Sequence, residues 1–418
     1  MSGLRAAGFP VEAVRRRALT GAAAAFPPVE SYGHEVFGQH LGAAAGDLLD
    51  AARLAPPVFL PRRLEKLIDL GREPMAADVD LTTEVGGFAS RLPVFLSAFG
   101  STRLGSAEVS VAASGQAGAL GVPMVIGENV VPVNGYRVAR SETTGLLARI
   151  RAYVEAAEPG YGGVVVQQST EDADAEVWNL VYSDPASEPL LADGRLGFEL
   201  KVGQGAKPGL GGMTVLDRAA AARVGDQYTV DELWAGERGV LRSGSPGTFT
   251  DEILRQQIRF MRNNFGRAKV WVKLHPGRDV ADAAAVAWAA GADAVTVDGA
   301  EGGSGWAPTA FLEHVGLPLG ECLSRIGGPA GCLLATGRMW EGVRAVKAMA
   351  LGARAVGLGR AALVAVDADP DAGLRRLVEC LAYEARLLIS ALGKYRVGDL
   401  DRDDLWSPGL PEPVAVPI

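Results

Sequence analysis

One stretch of the chain, KVWVKLHPGRDVADAAAVAWAAGADAVTVDG at residues 269–299, contains a strand, a helix and a second strand in succession. Its two β-branched runs, KVWVKL and DAVTVDG, are short and largely apolar, which is typical of strands that are covered on both faces. Between them, Asp279 is placed to cap the start of an Ala-rich helix and Gly291 to end it. A unit of this kind predicts parallel strands joined by a helix.

The same alternation extends in both directions, and eight β-branched runs separated by helical stretches can be counted from about residue 93 onward. The runs occupy residues 92–98, 122–128, 162–169, 197–204, 269–274, 293–299, 331–337 and 354–359. Eight such units favour an α/β fold of the closed (β/α)8 TIM barrel type. Because the third and fourth runs are weakly marked, an open doubly wound sheet stays as the alternative.

The rest of the chain flanks this barrel. Residues 1–90 are richer in proline and polar residues and predict a helical and extended region that wraps the barrel. Residues 91–366 form the expected barrel, with an insertion at about 205–265. Residues 367–418 contain the helical stretch LRRLVECLAYEARLLISALG and a Pro-rich tail.

Composition excludes several classes of protein. The 41 Lys and Arg against 49 Asp and Glu give a net charge of −8 with no basic run, which argues against a nucleic-acid partner. The three cysteines form no close pair, so neither a disulfide framework nor a metal site is expected. With charges near the N-terminus and no apolar run of about 20 residues, we expect a soluble cytoplasmic protein without a membrane segment.

Two lysines deserve weight because the chain has only seven. Lys207 lies in GQGAKPGLGG at residues 203–212, whose five glycines allow backbone N–H groups to approach a ligand. Lys273 ends the run KVWVKL, from which an ammonium would project into the mouth of a barrel. The alternatives are a flexible surface loop for residues 203–212 and a side chain that reaches solvent for Lys273.

Glycine-rich loops follow the last three predicted strands. In TIM barrels the loops after strands seven and eight frequently hold a phosphate, and here they read ATGRMWEG and LGRAAL. Each offers glycine N–H groups, an arginine (Arg338 or Arg360) and a helix start, which suit an anion; structural salt bridges are the alternative role for both arginines. The four histidines show no metal-ligand spacing, and no hydrolase or metalloprotease motif is present.

These loops and strands resemble the flavin domain of the glutamate synthase family. GQGAKPGLGG is similar to that family's GAKPG loop, and VWVKL followed by DGAEGGSGWAP is similar to its V-K-L strand and G-H-D-G-G-T-G-A-x-P segment. SAFGSTRLGSAEVS and VIGEN resemble the family's first strand-end loop and its G-E-G-G segment. The likeness runs over roughly residues 92–366 and follows the family's order and spacing.

The resemblance implies an FMN-binding barrel. Residues at the isoalloxazine and ribityl end would be Ala98, Ser101, Gln204, Lys207 and Lys273. Residues at the phosphate end would be Gly302, Gly303, Gly337, Arg338, Gly359 and Arg360. Catalytic roles fall to Lys273 and Lys207, which would tune the flavin, and to Glu128 and Glu301, which would bind the substrate nitrogen or transfer a proton.

Other parts of the family pattern have no counterpart in this sequence. The amidotransferase domain and the iron–sulfur cysteine cluster are missing, SGSPGTF stands where the family has P-P-P-H-H, and Ala300 replaces the histidine of H-D-G-G. Ammonia or electrons would therefore come from a separate partner subunit. The expected activity is hydride transfer between FMN N5 and an amino- or imino-acid-like substrate, as in amino acid metabolism.

Several alternatives remain open. One is a subunit similar to that of N-methylglutamate synthase or a specialised biosynthetic amino-acid oxidoreductase. Another is a different FMN barrel, such as a 2-hydroxyacid oxidase or an isoprenoid isomerase, although no histidine is clearly placed to take a hydroxyl proton. A third is a scaffold that binds flavin only structurally. The sequence also leaves homo-oligomerisation open.

Overall fold

The computed structural model confirms the closed eight-stranded barrel. It describes residues 27–32, 35, 47–58, 73–99, 107–127, 145–170, 175–203, 205, 213–216, 218, 221–222, 229–234, 239–243, 249–303 and 307–407. The barrel strands are β1 (Val94–Phe99), β2 (Met124–Ile126), β3 (Val164–Ser169), β4 (Leu196–Lys201), β5 (Lys269–Leu274), β6 (Ala294–Asp298), β7 (Cys332–Thr336) and β8 (Ala355–Leu358). Neighbours in sequence pair in parallel all round, and β8 pairs with β1 to close the sheet.

Helices follow the strands and cover the outside of the barrel. In the described residues they are α1 (Leu48–Ala51), α2 (Ala107–Ala119), α3 (Leu146–Ala156), α4 (Ala175–Ser183), α5 (Glu188–Ala192), α6 (Asp251–Asn264), α7 (Val280–Ala289), α8 (Thr309–His314), α9 (Leu319–Ile326), α10 (Gly342–Ala350), α11 (Arg360–Ala368) and α12 (Gly373–Ala391). Gly291 ends α7 with φ +103° as expected. Asp279 stands at the predicted cap position, but its side chain makes no capping hydrogen bond.

A short hairpin closes the amino-terminal end of the barrel. Its strands, Thr83–Val85 and Phe88–Ser90, are joined at Gly86 and Gly87, which both have positive φ. The Trp271 indole fills the barrel floor and donates from Nε1 to the Gly86 carbonyl oxygen at 2.9 Å. The apolar cluster around it consists of Val85, Phe88, Phe95, Val125, Val165, Ala294, Leu334 and Ala355. This hairpin and the Trp271 side chain packed on it, here called the hairpin plug, were not predicted from the sequence.

The other half of the barrel interior is polar. Alternation along a strand places every second side chain inside, so Trp271 at the floor is followed by Lys273 one layer higher on β5. The buried polar side chains near the carboxyl ends of the strands are Gln167, Glu199, Lys273, Thr296, Asp298 and Thr336. The barrel is therefore an apolar base with a polar, charged mouth.

The flanking segments pack on this barrel. A three-stranded antiparallel sheet of Met213–Leu216, Thr229–Asp231 and Val240–Ser243 lies in the insertion between β4 and α6. Arg53–Leu54 pairs with Leu405–Trp406, which joins the two ends of the described chain. Helix α12 packs against α10 and α11. Of the helices described, none is both long and apolar enough to cross a membrane.

The plug generates a stability prediction. Trp271 is fully buried, whereas Trp406 is 55% exposed. Replacing Trp271 by Ala leaves a cavity in the barrel floor and should lower the free energy of unfolding by about 3–5 kcal/mol. The matched change Trp406→Ala should cost less than about 1 kcal/mol. Urea denaturation followed by circular dichroism measures both, and equal losses would contradict the role given to Trp271.

Candidate functional site at the carboxyl end of the barrel

A buried ion pair lies at the mouth of the barrel. The Lys273 ammonium at the end of β5 is 3.4 Å from Oδ2 of Asp298 at the end of β6, and both side chains are less than 10% exposed. The two residues face each other because β5 and β6 are neighbours in the sheet. Lys273 was predicted as a site residue from the sequence, whereas its partner Asp298 was not.

Asp298 connects four elements of the site. Its Oδ1 accepts a hydrogen bond from the Thr336 hydroxyl at 2.7 Å, and its Oδ2 accepts one from the Gly205 backbone N–H at 3.2 Å. A Cβ on Gly205 would lie 2.6 Å from the carbonyl oxygen of Gly299, so only glycine allows this approach. The start of the loop after β4 is thereby held against the loop after β6.

A second acid lies deeper in the interior. Glu199 on β4 is 1% exposed, and its carboxylate accepts hydrogen bonds from the Gln167 amide and, at 3.1 Å, from the Thr296 hydroxyl. Burial raises the pKa of Glu199, while Lys273 acts in the opposite direction. Sequence reasoning missed this residue. The available signal was a glutamate inside the apolar strand LGFELK, where the period of two points it inward.

Glu301 belongs to a different cluster, between the barrel and its helices. The residue is 3% exposed, and its carboxylate accepts from the Arg344 guanidinium and, at 3.2 Å, from the Leu319 backbone N–H. Arg344 also pairs with Asp47 at 2.6 Å and with Asp50 at 2.9 Å. In this geometry Glu301 supports the loop after β6, and its predicted contact with substrate stays a prediction.

Arg344 is the hub of that cluster. Beyond its three carboxylate partners, its Nε donates to the Gly337 carbonyl oxygen at 3.1 Å in the loop after β7. One guanidinium therefore ties together α1, the loop after β6 and the loop after β7. The Asp47 carboxylate also accepts from the Gly320 backbone N–H at 3.1 Å, which fixes the start of α9.

The predicted phosphate loops come together beside this hub. Gly303 and Gly337 have positive φ of 73° and 138°, and beside Gly359, at the start of α11, a Cβ would meet no atom of the described residues within 4 Å. Arg360 donates to the Glu301 carbonyl oxygen at 2.5 Å. Arg338 adopts a left-handed conformation with φ 51° and pairs with Asp50.

The remaining predicted residues differ in what can be said of them. Ala98 is half-buried at the end of β1 and packs on the apolar base, and Gly302 lies in the turn after β6. Ser101, Glu128, Gln204 and Lys207 lie outside the described residues.

His275 follows β5 two residues after Lys273. Its imidazole packs against Gly203, where a Cβ would approach to 2.7 Å of Nδ1. Among the described residues, its buried Nδ1 has no hydrogen-bond partner. Burial lowers the pKa of His275, which keeps the ring neutral at pH 7.

The Glu301 cluster predicts a dependence of stability on pH. Burial and the nearby Asp47 carboxylate raise the pKa of Glu301 to about 7, from 4.5 for an ordinary glutamate, against the lowering effect of Arg344. Between pH 4.5 and about pH 7, the Glu301 carboxyl has lost its proton in the unfolded chain but keeps it in the folded chain. The free energy of unfolding should therefore fall as pH rises from about 4.5 to about 7.

The variant Glu301→Gln should remove that fall, as measured by urea denaturation at closely spaced pH values. Glu379→Gln is the control, since the Glu379 side chain is 62% exposed. If Glu301→Gln retained the full pH slope of the parent protein, another group would be responsible.

Comparison with known proteins agrees with the fold and the order of the loops. Residues 188–369 match the family described as the conserved region in glutamate synthase. An archaeal glutamate synthase (NADPH) of Methanocaldococcus jannaschii is 28% identical over 255 residues, which cover 51% of this chain and 49% of that protein. A glutamate synthase large subunit-like protein of Rhizobium meliloti is 34% identical over 182 residues, covering 41% and 40%. The chain matches about half, or less, of the length of these relatives.

Among solved structures, a mandelate oxidase variant described with a C4a-OH-FMN adduct superposes with a TM-score of 0.57 and 20% identity, covering 93% of this chain and 98% of its own. That similarity concerns the fold. The sequence match extends from the start of α5 to just past the end of α11, and it includes the strands that carry Glu199, Lys273 and Asp298. Through this region, the chain is similar to the glutamate synthase family.

Proposed function

We propose that the chain binds FMN at the carboxyl end of the barrel and transfers a hydride between flavin N5 and the carbon of an amino- or imino-acid-like substrate. The observation that carries the proposal is the buried Lys273–Asp298 pair at a mouth surrounded by glycine-rich loops. The names of the relatives support the substrate class, and the FMN adduct in the mandelate oxidase structure supports the cofactor.

The described residues fit such a cofactor. The space beside Gly359, which no atom of the described residues fills, and the start of α11 suit a phosphate, because the N–H groups of a first helical turn and the helix dipole favour an anion. Arg360 lies next to this space, although its guanidinium also binds the Glu301 carbonyl oxygen. In our proposal Arg338 exchanges its ion pair with Asp50 for the phosphate, or remains a support of the loop.

When bound, FMN supplies two-electron hydride chemistry. The protein supplies charge and position: Lys273 offers a fixed cation, and Asp298 orients that cation through a contact that needs no reorganisation. We assign the substrate nitrogen to Glu128 and a second flavin contact to Lys207. Glu301, whose carboxylate is taken by Arg344 and Leu319, holds the loop.

We further propose that ammonia or electrons reach the flavin site from a separate subunit. In this proposal, small-molecule substrates reach the flavin from the carboxyl end of the barrel. An activity like that of N-methylglutamate synthase, which the sequence left open, belongs to the same proposed class of reaction.

Oxidation of a 2-hydroxy acid is the second candidate, and one observation favours it. A neutral imidazole with an available Nδ1 can accept a hydroxyl proton, and His275 has these properties near the end of β5. Anaerobic mixing of the flavoprotein with amino acids, 2-hydroxy acids and NADPH distinguishes the candidates by which donor bleaches the flavin. Reduction by 2-hydroxy acids alone would replace our proposal, and no reduction by any donor would favour a flavin scaffold.

Lys273 provides the direct test. The purified protein should show a flavin spectrum after titration with FMN, and Lys273→Met should slow flavin reduction by about 100-fold or more. The matched control is Lys269→Met, at the opposite end of the same strand. A protein that binds no FMN, or a Lys273→Met variant that is reduced at the rate of the parent, would contradict the proposal.

A loss of folding has to be separated from a loss of function. Removing Lys273 alone leaves a buried Asp298 without its cation, which should cost about 3–5 kcal/mol. The double variant Lys273→Met/Asp298→Asn removes both charges and should recover much of that stability without recovering the rate.

A further inference from the structure

Glu199 has no role in the function proposed so far, yet it occupies the centre of the barrel. It points inward from β4 and is 1% exposed, and among the described residues no arginine contacts its carboxylate. Gln167 on β3 and Thr296 on β6 donate to its two oxygens. Since both donors are neutral, they satisfy the carboxylate without cancelling its charge.

Charged groups from three strands surround it. Lys201 lies two residues further along β4, Lys273 lies opposite Lys201 on β5, and Asp298 on β6 pairs with Lys273. When Glu199 is ionised, the two lysines and the two acids cancel. When Glu199 is protonated, the same group of four carries one net positive charge.

Of the two acids, Glu199 is the one placed to change its protonation. Asp298 accepts from an ammonium, a hydroxyl and a backbone N–H, which match its negative charge. Glu199 lies deeper, and no cation in the described part of the chain is in direct contact with it. In support, burial raises the pKa of Glu199, and Lys273 and Lys201 only partly oppose this.

We propose that Glu199 is a positioning residue that takes up one proton from solvent when the flavin is reduced. The inference rests on the proposed function, because it needs FMN at the barrel mouth. A two-electron reductant delivers two electrons to FMN, which also gains one proton and keeps one negative charge. The Glu199 carboxylate binds a second proton and becomes neutral, so the charge of the site as a whole is unchanged.

The test is the reduction potential of bound FMN as a function of pH. Each proton taken up changes the equilibrium constant tenfold per pH unit, which is about 30 mV for a two-electron couple. Over the pH range in which Glu199 gains its proton, the reduction potential of the parent protein should therefore fall by about 30 mV more per pH unit than that of Glu199→Gln. Glu155→Gln, exposed on α3, is the control and should match the parent.

A second variant covers the case in which Glu199→Gln does not fold. Thr296→Val keeps the shape of the side chain but removes one donor from the Glu199 carboxylate. The ionised form of Glu199 then loses a hydrogen bond, so the pH range in which the extra proton is taken up should move to higher pH. An infrared difference spectrum on dithionite reduction should show a protonated carboxyl band in the parent and none in Glu199→Gln.

The outcomes separate the two proposals. A protein that binds no FMN overturns the proposed function and this inference with it. A protein that binds FMN, with the same dependence on pH in the parent and in Glu199→Gln, overturns this inference alone. An unmoved pH range in Thr296→Val would likewise overturn it.

Discussion

The ion pair between Lys273 and Asp298 is the interaction on which the organisation of the site depends. A lysine inside a closed barrel loses most of its hydration, and only a close carboxylate offsets that loss. Asp298 serves this purpose while binding Thr336 and Gly205 as well. The end of β5, the end of β7 and the loop after β4 are consequently fixed relative to one another through one side chain.

The cluster around Arg344 fixes further loops between the barrel and its helices. Its guanidinium joins Asp47, Asp50 and Glu301 with the carbonyl oxygen of Gly337. The partners come from three distant stretches of the chain, and the buried charges of Arg344, Asp47 and Glu301 would be unmatched without one another. A helical turn near residue 50 thereby becomes part of the support of loops after β6 and β7.

The sequence predicted the barrel well because strands leave a local pattern. The run at residues 269–274 matches β5 at both ends, and the other seven runs each overlap a barrel strand. The hairpin at residues 83–90 was missed because its strands are only three residues long, although its Gly-Gly turn is a recognised signal. Glu199 was missed although its place in an apolar strand was a signal, whereas Arg344 was missed because its partners are distant in the chain and pairing of that kind leaves no spacing to detect. Glu301 was predicted as a site residue from the loop in which it lies, but the direction of its carboxylate depends on Arg344.

The hairpin plug has a consequence for the timing of catalysis. In the described residues, Trp271 and Phe88 fill the floor of the barrel, so the interior can be reached only from the end where the charged groups lie. If flavin occupies that end, whatever reduces it and whatever reoxidises it approach the same exposed face. If the hydride donor and the hydride acceptor both use that face, the first product would have to leave before the second reactant binds, which is a ping-pong sequence.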